Sequence, residues 1–204
     1  MCRKIQAEKT CARRNRWAQI NRKEEILRNM RLIFDERPFS WDTEYEIFTE
    51  SGVKSYQVKN ETVSEKLKLV TLFNRNGVEI GRVERRKGFF GGIKYLLFFG
   101  EEQIGEVVRD DSYRKTRYVL KLNNAKYRMF GLILSWDFDI LDDGAIIMHA
   151  GTDGTPYLNK GKYVMDIYYE NSESYILLAC LGLEAANHEL HLEEMKKLEK
   201  KMKK

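Results

Sequence analysis

Apolar and polar residues alternate through most of the chain, and short polar or glycine stretches break the alternation at intervals. Four of the breaks align: "IFTESGVKSYQV", "LFNRNGVEIGRV", "LFFGEEQIGEVV" and "DILDDGAIIMHA". With Glu101 set opposite Gly52, Gly77 and Gly144, the apolar Phe48, Phe73, Leu97 and Ile140 coincide four residues earlier. Val58, Val83, Val107 and Ala150 coincide six residues later. Alternation on both sides of a short polar break predicts a β-hairpin, with the glycines as turn residues. Gly81 and Gly105 fall inside strands, where glycine marks a bulge or a close backbone approach. The four hairpins cover about 44–59, 67–85, 93–109 and 136–150. Residues 113–122 and 125–134 pair across Asn123-Asn124, and "RLIF" at 31–34 and "KYVMDIYY" at 162–169 bring the strand count to twelve.

Two segments carry a helical period instead. Over 12–30, Trp17, Ile20, Leu27 and Met30 fall near one face, Asn21 with Glu24 can cap a shorter helix, and Pro38 stops any continuation. The closing stretch, "SYILLACLGLEAANHELHLEEMKKLEKKMKK", is capped by Ser172 or Ser174. It is apolar on every side from Tyr175 to Leu183, and from Leu190 onward amphipathic, with Met195, Leu198 and Met202 on one stripe. A helix apolar all round must be enclosed. Eight strands close a barrel that its own side chains fill, so twelve leave a wider space. Threading the helix through a closed twelve-stranded antiparallel barrel satisfies both demands and removes the open sheet edges. The expected fold is therefore mainly β, a barrel enclosing a hydrophobic C-terminal helix, with an N-terminal helix added. Its expected parts are a basic helical extension over 1–30, the barrel with its central helix over 31–190 and a charged helical tail over 191–204.

Composition refines this picture in two respects. The chain of 204 residues is long enough for one domain with a large core. Its net charge of +5 is uneven: 1–31 carry ten Lys/Arg against three Asp/Glu, 188–204 carry six against four, and the body between them is left at −4. A mildly acidic body disfavours nucleic acid as its partner, although the basic ends could meet RNA or an anionic membrane. Cys2, Cys11 and Cys180 have neither metal-like nor disulfide-like spacing, which suits a reducing, cytoplasmic compartment. The basic N-terminus lacks the apolar core of a signal peptide, and "YILLACLGL" falls short of half a bilayer span.

"RPFSWDTEYEIFTESGVKSYQV", "LFNRNGVEIGRVERR", "FDILDDGAII" and "YVMDIYYENSESYILLACLGLEAANHE" together resemble bacterial LURP-one-related proteins, of the tubby-like, scramblase-like superfamily, over about 31–190. The resemblance implies a twelve-stranded barrel around a central C-terminal helix. Tubby proteins bind phosphoinositide head groups through basic residues on the barrel, and no position here matches those residues one by one.

Candidate chemistry is sparse. "NGVEIGRVERRKGFFGGIKY" sets glycines among basic residues but has neither phosphate-loop nor dinucleotide spacing, so turn glycines explain it. "DFDILDDG" resembles a calcium loop out of register, with Leu141 where an oxygen ligand belongs and Asp142 where glycine belongs. His188 and His191 in "HELH" are one residue short of the zinc-protease spacing, so no metal or other cofactor is expected. Cys180 lies on the enclosed helix, where thiols are inert, and His149 has no visible nucleophile, so no catalytic set stands out. Basic clusters remain. Arg82, Arg85, Arg86, Lys87 and Lys94 form one, and Arg114, Lys115 and Arg117, with Arg109, form another that Asp110 and Asp111 dilute. These are the candidate anion-binding residues, and Phe89 and Phe90 between basic side chains are the candidate membrane contacts. The competing reading sends Arg82 and its neighbours outward simply because strand exteriors face water. The function expected is non-enzymatic binding of a protein partner or an anionic phospholipid surface, peripheral at the membrane. The alternatives are a nucleic-acid protein working through the basic N-terminal helix, and an unrecognised lipid-related enzyme or scramblase.

Overall fold

The computed structural model describes residues 30–34, 40–88, 93–110, 117–123, 125–153, 162–168 and 173–202. Twelve antiparallel strands close into a barrel: β1 (Met30–Phe34), β2 (Glu44–Thr49), β3 (Lys54–Thr62), β4 (Leu67–Asn74), β5 (Glu79–Lys87), β6 (Ile93–Phe99), β7 (Glu102–Asp110), β8 (Arg117–Leu122), β9 (Ala125–Leu132), β10 (Asp137–Asp142), β11 (Ala145–Asp153) and β12 (Lys162–Ile167). Each strand pairs with its neighbours in sequence, and β1 pairs with β12 to close the ring. One helix, α1 (Glu173–Met202), follows. The barrel and its helix are those that the alternation predicts. The ninth strand stops earlier than expected, at Leu132, because a 3₁₀ turn over Ile133–Ser135 follows it.

The sequence repeat has a structural counterpart. In each of the four aligned hairpins the register slips by one residue, opposite Ile47/Phe48, Leu72/Phe73, Leu97/Phe98 and Ile140/Leu141. The extra residue is Ser55, Ile80, Ile104 or Ile147, three positions after Gly52, Gly77, Glu101 and Gly144. A bulge adds local twist and curvature, which a sheet needs in order to close. After the bulge the inward positions resume, and Val58, Val83, Val107 and Ala150 are all buried. Gly81 and Gly105 stand next to these bulges. A Cβ on Gly105 would meet the Lys121 carbonyl oxygen at 2.1 Å, which is the close approach expected of a strand glycine.

The core lies between wall and helix. Buried residues of every strand except β9 form one cluster with Ile176, Leu177, Leu178, Ala179, Cys180, Leu181 and Leu183, and the half-buried Tyr127 and Met129 of β9 pack against it. Gly182 lets the helix approach Leu97 and Val107 closely. Near one end, Trp136 fills the space between helix and wall, packing edge-on against Phe34, Phe138 and Tyr163 and donating its indole N–H to the Val164 carbonyl at 3.0 Å. The enclosed stretch runs further than the apolar run suggests, from Ile176 to Ala186, and it includes Glu184.

The two ends of the barrel differ. At one end the hairpin turns are tight, and α1 enters there: Tyr175 stacks on Phe99, and the Ser174 and Tyr56 hydroxyls are 3.3 Å apart. Burial, reinforced by the nearby Glu173, holds the Tyr56 phenol up at about 12. At the other end lie the connections that follow β1, β3, β5, β7, β9 and β11. A helix of 30 residues is about 45 Å long, well beyond the height of these tilted strands. The surplus leaves through this second end, and residues 194–202 are exposed.

Candidate functional site

Strands β5 and β7 run toward the helix-exit end, and β6 and β8 start from it. The order β5-β6-β7-β8 therefore brings the strand positions of Arg85, Arg86, Lys87 and Lys94 and of Arg109 and Arg117 together at one rim, whereas Arg82 lies toward the tight-turn end. Arg86 pairs with Lys94, Lys87 with Ile93, and Asp110 with Arg117 across the ladder. Lys87 and Lys94 are exposed, and among the described residues no ion pair engages either. Arg114, Lys115, Phe89 and Phe90 lie outside the described residues. For Arg117 only the strand position is described.

The arginines of the first cluster are placed differently from the expectation that they all face water. Arg82 does face outward, but it is spent on local acids. It donates to Glu84 at 3.0 Å, to Glu79 and Glu101 at 3.4 Å, and to the Gly100 carbonyl at 3.1 Å. It also covers the Phe98 ring. Arg86 donates its Nε to the other oxygen of Glu84 at 2.6 Å, so one buried carboxylate holds two guanidiniums. The hydrogen bond to Glu84, ahead of the Glu101 contacts, holds the Arg82 guanidinium above its ordinary value.

Arg85 is the correction. Its position in the alternation matches the inward Val83, and its side chain is 7% exposed. It reaches under the rim to the helix, donating to Glu189 at 3.2 Å and to the Glu65 carbonyl at 3.0 Å. Lys68 reaches Glu189 from β4 at 2.8 Å while lying 4.4 Å over the Trp41 ring. Burial alone would raise the Glu189 carboxyl. The hydrogen bond from Lys68, the charges of Arg85 and Lys68 and a hydrogen bond from Trp41 outweigh it and hold the group below its ordinary value. Tyr118 adds a further tie, donating its hydroxyl to the Ala186 carbonyl at 3.2 Å. The rim thus latches the helix where it leaves the barrel. The latch is invisible in the sequence, because Lys68, Arg85 and Glu189 are far apart along the chain and each reads as a surface charge.

The remaining candidates are structural. Cys180 is fully enclosed, and burial, with the charge of Glu184 adding to it, pushes its thiol well above the ordinary value, away from a reactive thiolate. "DFDILDDG" is the β10–β11 hairpin, with Asp143 and Gly144 in the left-handed region at its turn. His149 faces outward and lies 2.8 Å from Asp139. Across the next ladder stands Asp166, which binds Arg31 through two hydrogen bonds at 2.7 and 3.0 Å. Among the described residues no group of His, Cys, Asp and Glu is placed to hold a metal ion, and no helix is long and apolar enough to cross a membrane. The N-terminal helix of the nucleic-acid alternative lies outside the described residues.

The family model described as LURP-one-related matches residues 30–184. No curated protein and no solved structure matches significantly.

Proposed function

The chain belongs to the LURP-one-related family, and on that premise we propose that it is a non-enzymatic tubby-like barrel that docks its helix-exit rim on an anionic phospholipid surface, peripherally and from the cytoplasm. The observation behind this reading is the pair Lys87 and Lys94. They stand at the rim on neighbouring strands, exposed, with no described acid to neutralise them, whereas Arg82, Arg85 and Arg86 are already engaged by Glu84 or Glu189. Lysines held this way on a rigid edge attract an anionic surface, each contributing about 1 kcal/mol near the bilayer.

The test is sedimentation with phosphatidylcholine vesicles, with and without phosphatidylserine. The wild type should sediment only with the anionic vesicles, and less as salt rises. Removing the two rim charges costs about 2 kcal/mol, a roughly thirty-fold loss of affinity. Lys87→Glu with Lys94→Glu reverses them and should lose at least that much, with an unchanged circular dichroism spectrum. Equal sedimentation of variant and wild type would defeat the proposal. Binding to RNA lost on removing residues 1–29 would favour the nucleic-acid alternative.

A further inference from the structure

The projecting half of α1 carries a feature that lipid binding does not use. Beyond the latch at Glu189, residues 190–202 run about 18 Å away from the rim as continuous helix. Met195, Leu198 and Met202 are 44%, 53% and 79% exposed. With the exposed His191 they form a row spaced four, three and four residues apart. That spacing is the a/d seam of a coiled coil, narrower than the apolar face of a helix that lies in a bilayer.

We propose that this seam binds a second copy of the chain, with the two helices antiparallel about a twofold axis between Met195 and Leu198. In that register Met195 packs on Leu198 of the second copy, and His191 on its Met202, giving four layers. Glu194 of each copy then flanks the seam opposite Lys201 of the other, two opposite-charge pairs related by the axis. Lys196, Lys197 and Lys200 fall on the outer faces, where they repel least. A twofold contact needs only one self-complementary patch, and this one carries both halves of its charge pair.

Charge and reach argue against other occupants. Glu194 and Glu199 border the stripe directly, so an anionic bilayer would meet acids at its edge. The basic segment before β1 starts from the opposite end of the barrel.

Sedimentation equilibrium of the full chain between micromolar and millimolar concentrations tests this. A four-layer seam predicts a weak, concentration-dependent monomer–dimer equilibrium. Leu198→Lys should abolish it without changing the circular dichroism spectrum. Glu194→Lys alone should weaken it at least ten-fold, and Lys201→Glu alone likewise. The double variant Glu194→Lys with Lys201→Glu should return to within about three-fold of the wild type. Four results would overturn the proposal: a wild type that stays monomeric, a dimer indifferent to Leu198→Lys, a double variant no better than the single ones, or Glu194→Lys that strengthens association, as a parallel pair with Glu199 would require. Vesicle binding that depends on Leu198 in a chain that stays monomeric would assign the stripe to lipid instead.

Discussion

Leu178 and Leu198 are the same residue type on the same helix, yet the fold predicts opposite outcomes for their replacement by alanine. Leu178 is fully enclosed, and one of its methyls lies within 3.1 Å of where a Cβ on Gly81 would stand. Leu198 is 53% exposed beyond the rim. Truncating a buried leucine costs between about 2 and 5 kcal/mol, according to how far the surroundings collapse into the space. Here they collapse little, because the wall is a closed ladder whose strands cannot move inward without breaking hydrogen bonds to both neighbours. The expected cost of Leu178→Ala is therefore about 4 kcal/mol. At about 3 °C per kcal/mol for a protein of this size, that lowers the melting temperature by about 12 °C. Leu198→Ala removes exposed surface and should change stability by less than about 0.5 kcal/mol. Thermal melts followed by circular dichroism, at a concentration where the chain is monomeric, compare the two directly. A loss below about 1 kcal/mol for Leu178→Ala, or an equal loss for both variants, would refute the enclosed-plug architecture.

Two further expectations concern glycines and acid. Gly105→Ala must push a methyl against the Lys121 carbonyl and should destabilise by more than about 2 kcal/mol in a urea melt, whereas Gly182→Ala meets only movable methyls of Leu97 and Val107, gains helix propensity and should stay within about 1 kcal/mol of the wild type. Glu189→Gln strips the acid from Lys68 and Arg85 and should cost about 3 kcal/mol at pH 7. Because the folded carboxyl titrates below its ordinary 4.5, its stabilisation is complete above that value and is lost as pH falls through the folded pKa. The gap between Glu189→Gln and wild type in denaturant melts should close in that acid window, and a gap independent of pH would contradict the latch.

The barrel was legible because its evidence is local. Alternation names the strands, Asp143-Gly144 and the glycines name the turns, and an all-apolar helix demands an enclosure. The common bulge of the four hairpins was half legible. Aligning the copies puts Val58, Val83, Val107 and Ala150 in one column, but alternation alone does not say which of Ser55, Ile80, Ile104 and Ile147 is the extra residue. The rim was legible as basic residues and not as a site, because its meaning depends on partners across the barrel. Arg82 and Arg86 differ from Lys87 and Lys94 only through Glu84, and alternation has no way to rank them. Arg85 follows Val83 by two and should have been read as inward. Its charge argued for water, and an arginine is buried only where an acid meets it. That acid, Glu189, comes from a helix whose exit point no local pattern reveals. Glu184 follows the apolar run directly, yet it lies inside, because the wall reaches further along the helix than that run does.

The two ends of the barrel carry different side chains. At the tight-turn end four hairpins each carry a bulge three residues after Gly52, Gly77, Glu101 or Gly144, and little there can vary without shifting a register that buries the next strand. The free lysines and the projecting seam both sit at the other end, separated by the latch at Glu189. That latch ties α1 to β4 and β5 and, through Trp41, to the connection after β1, so the rim and the seam keep a fixed relation. A charge at Lys87 and a contact at Leu198 can then be altered independently, so vesicle binding and self-association should respond to different substitutions: Lys87→Glu with Lys94→Glu should leave the dimer constant within about two-fold, and Leu198→Lys should leave vesicle binding of the monomer within the same margin. Loss of both properties in either variant would mean that the rim and the seam form a single surface.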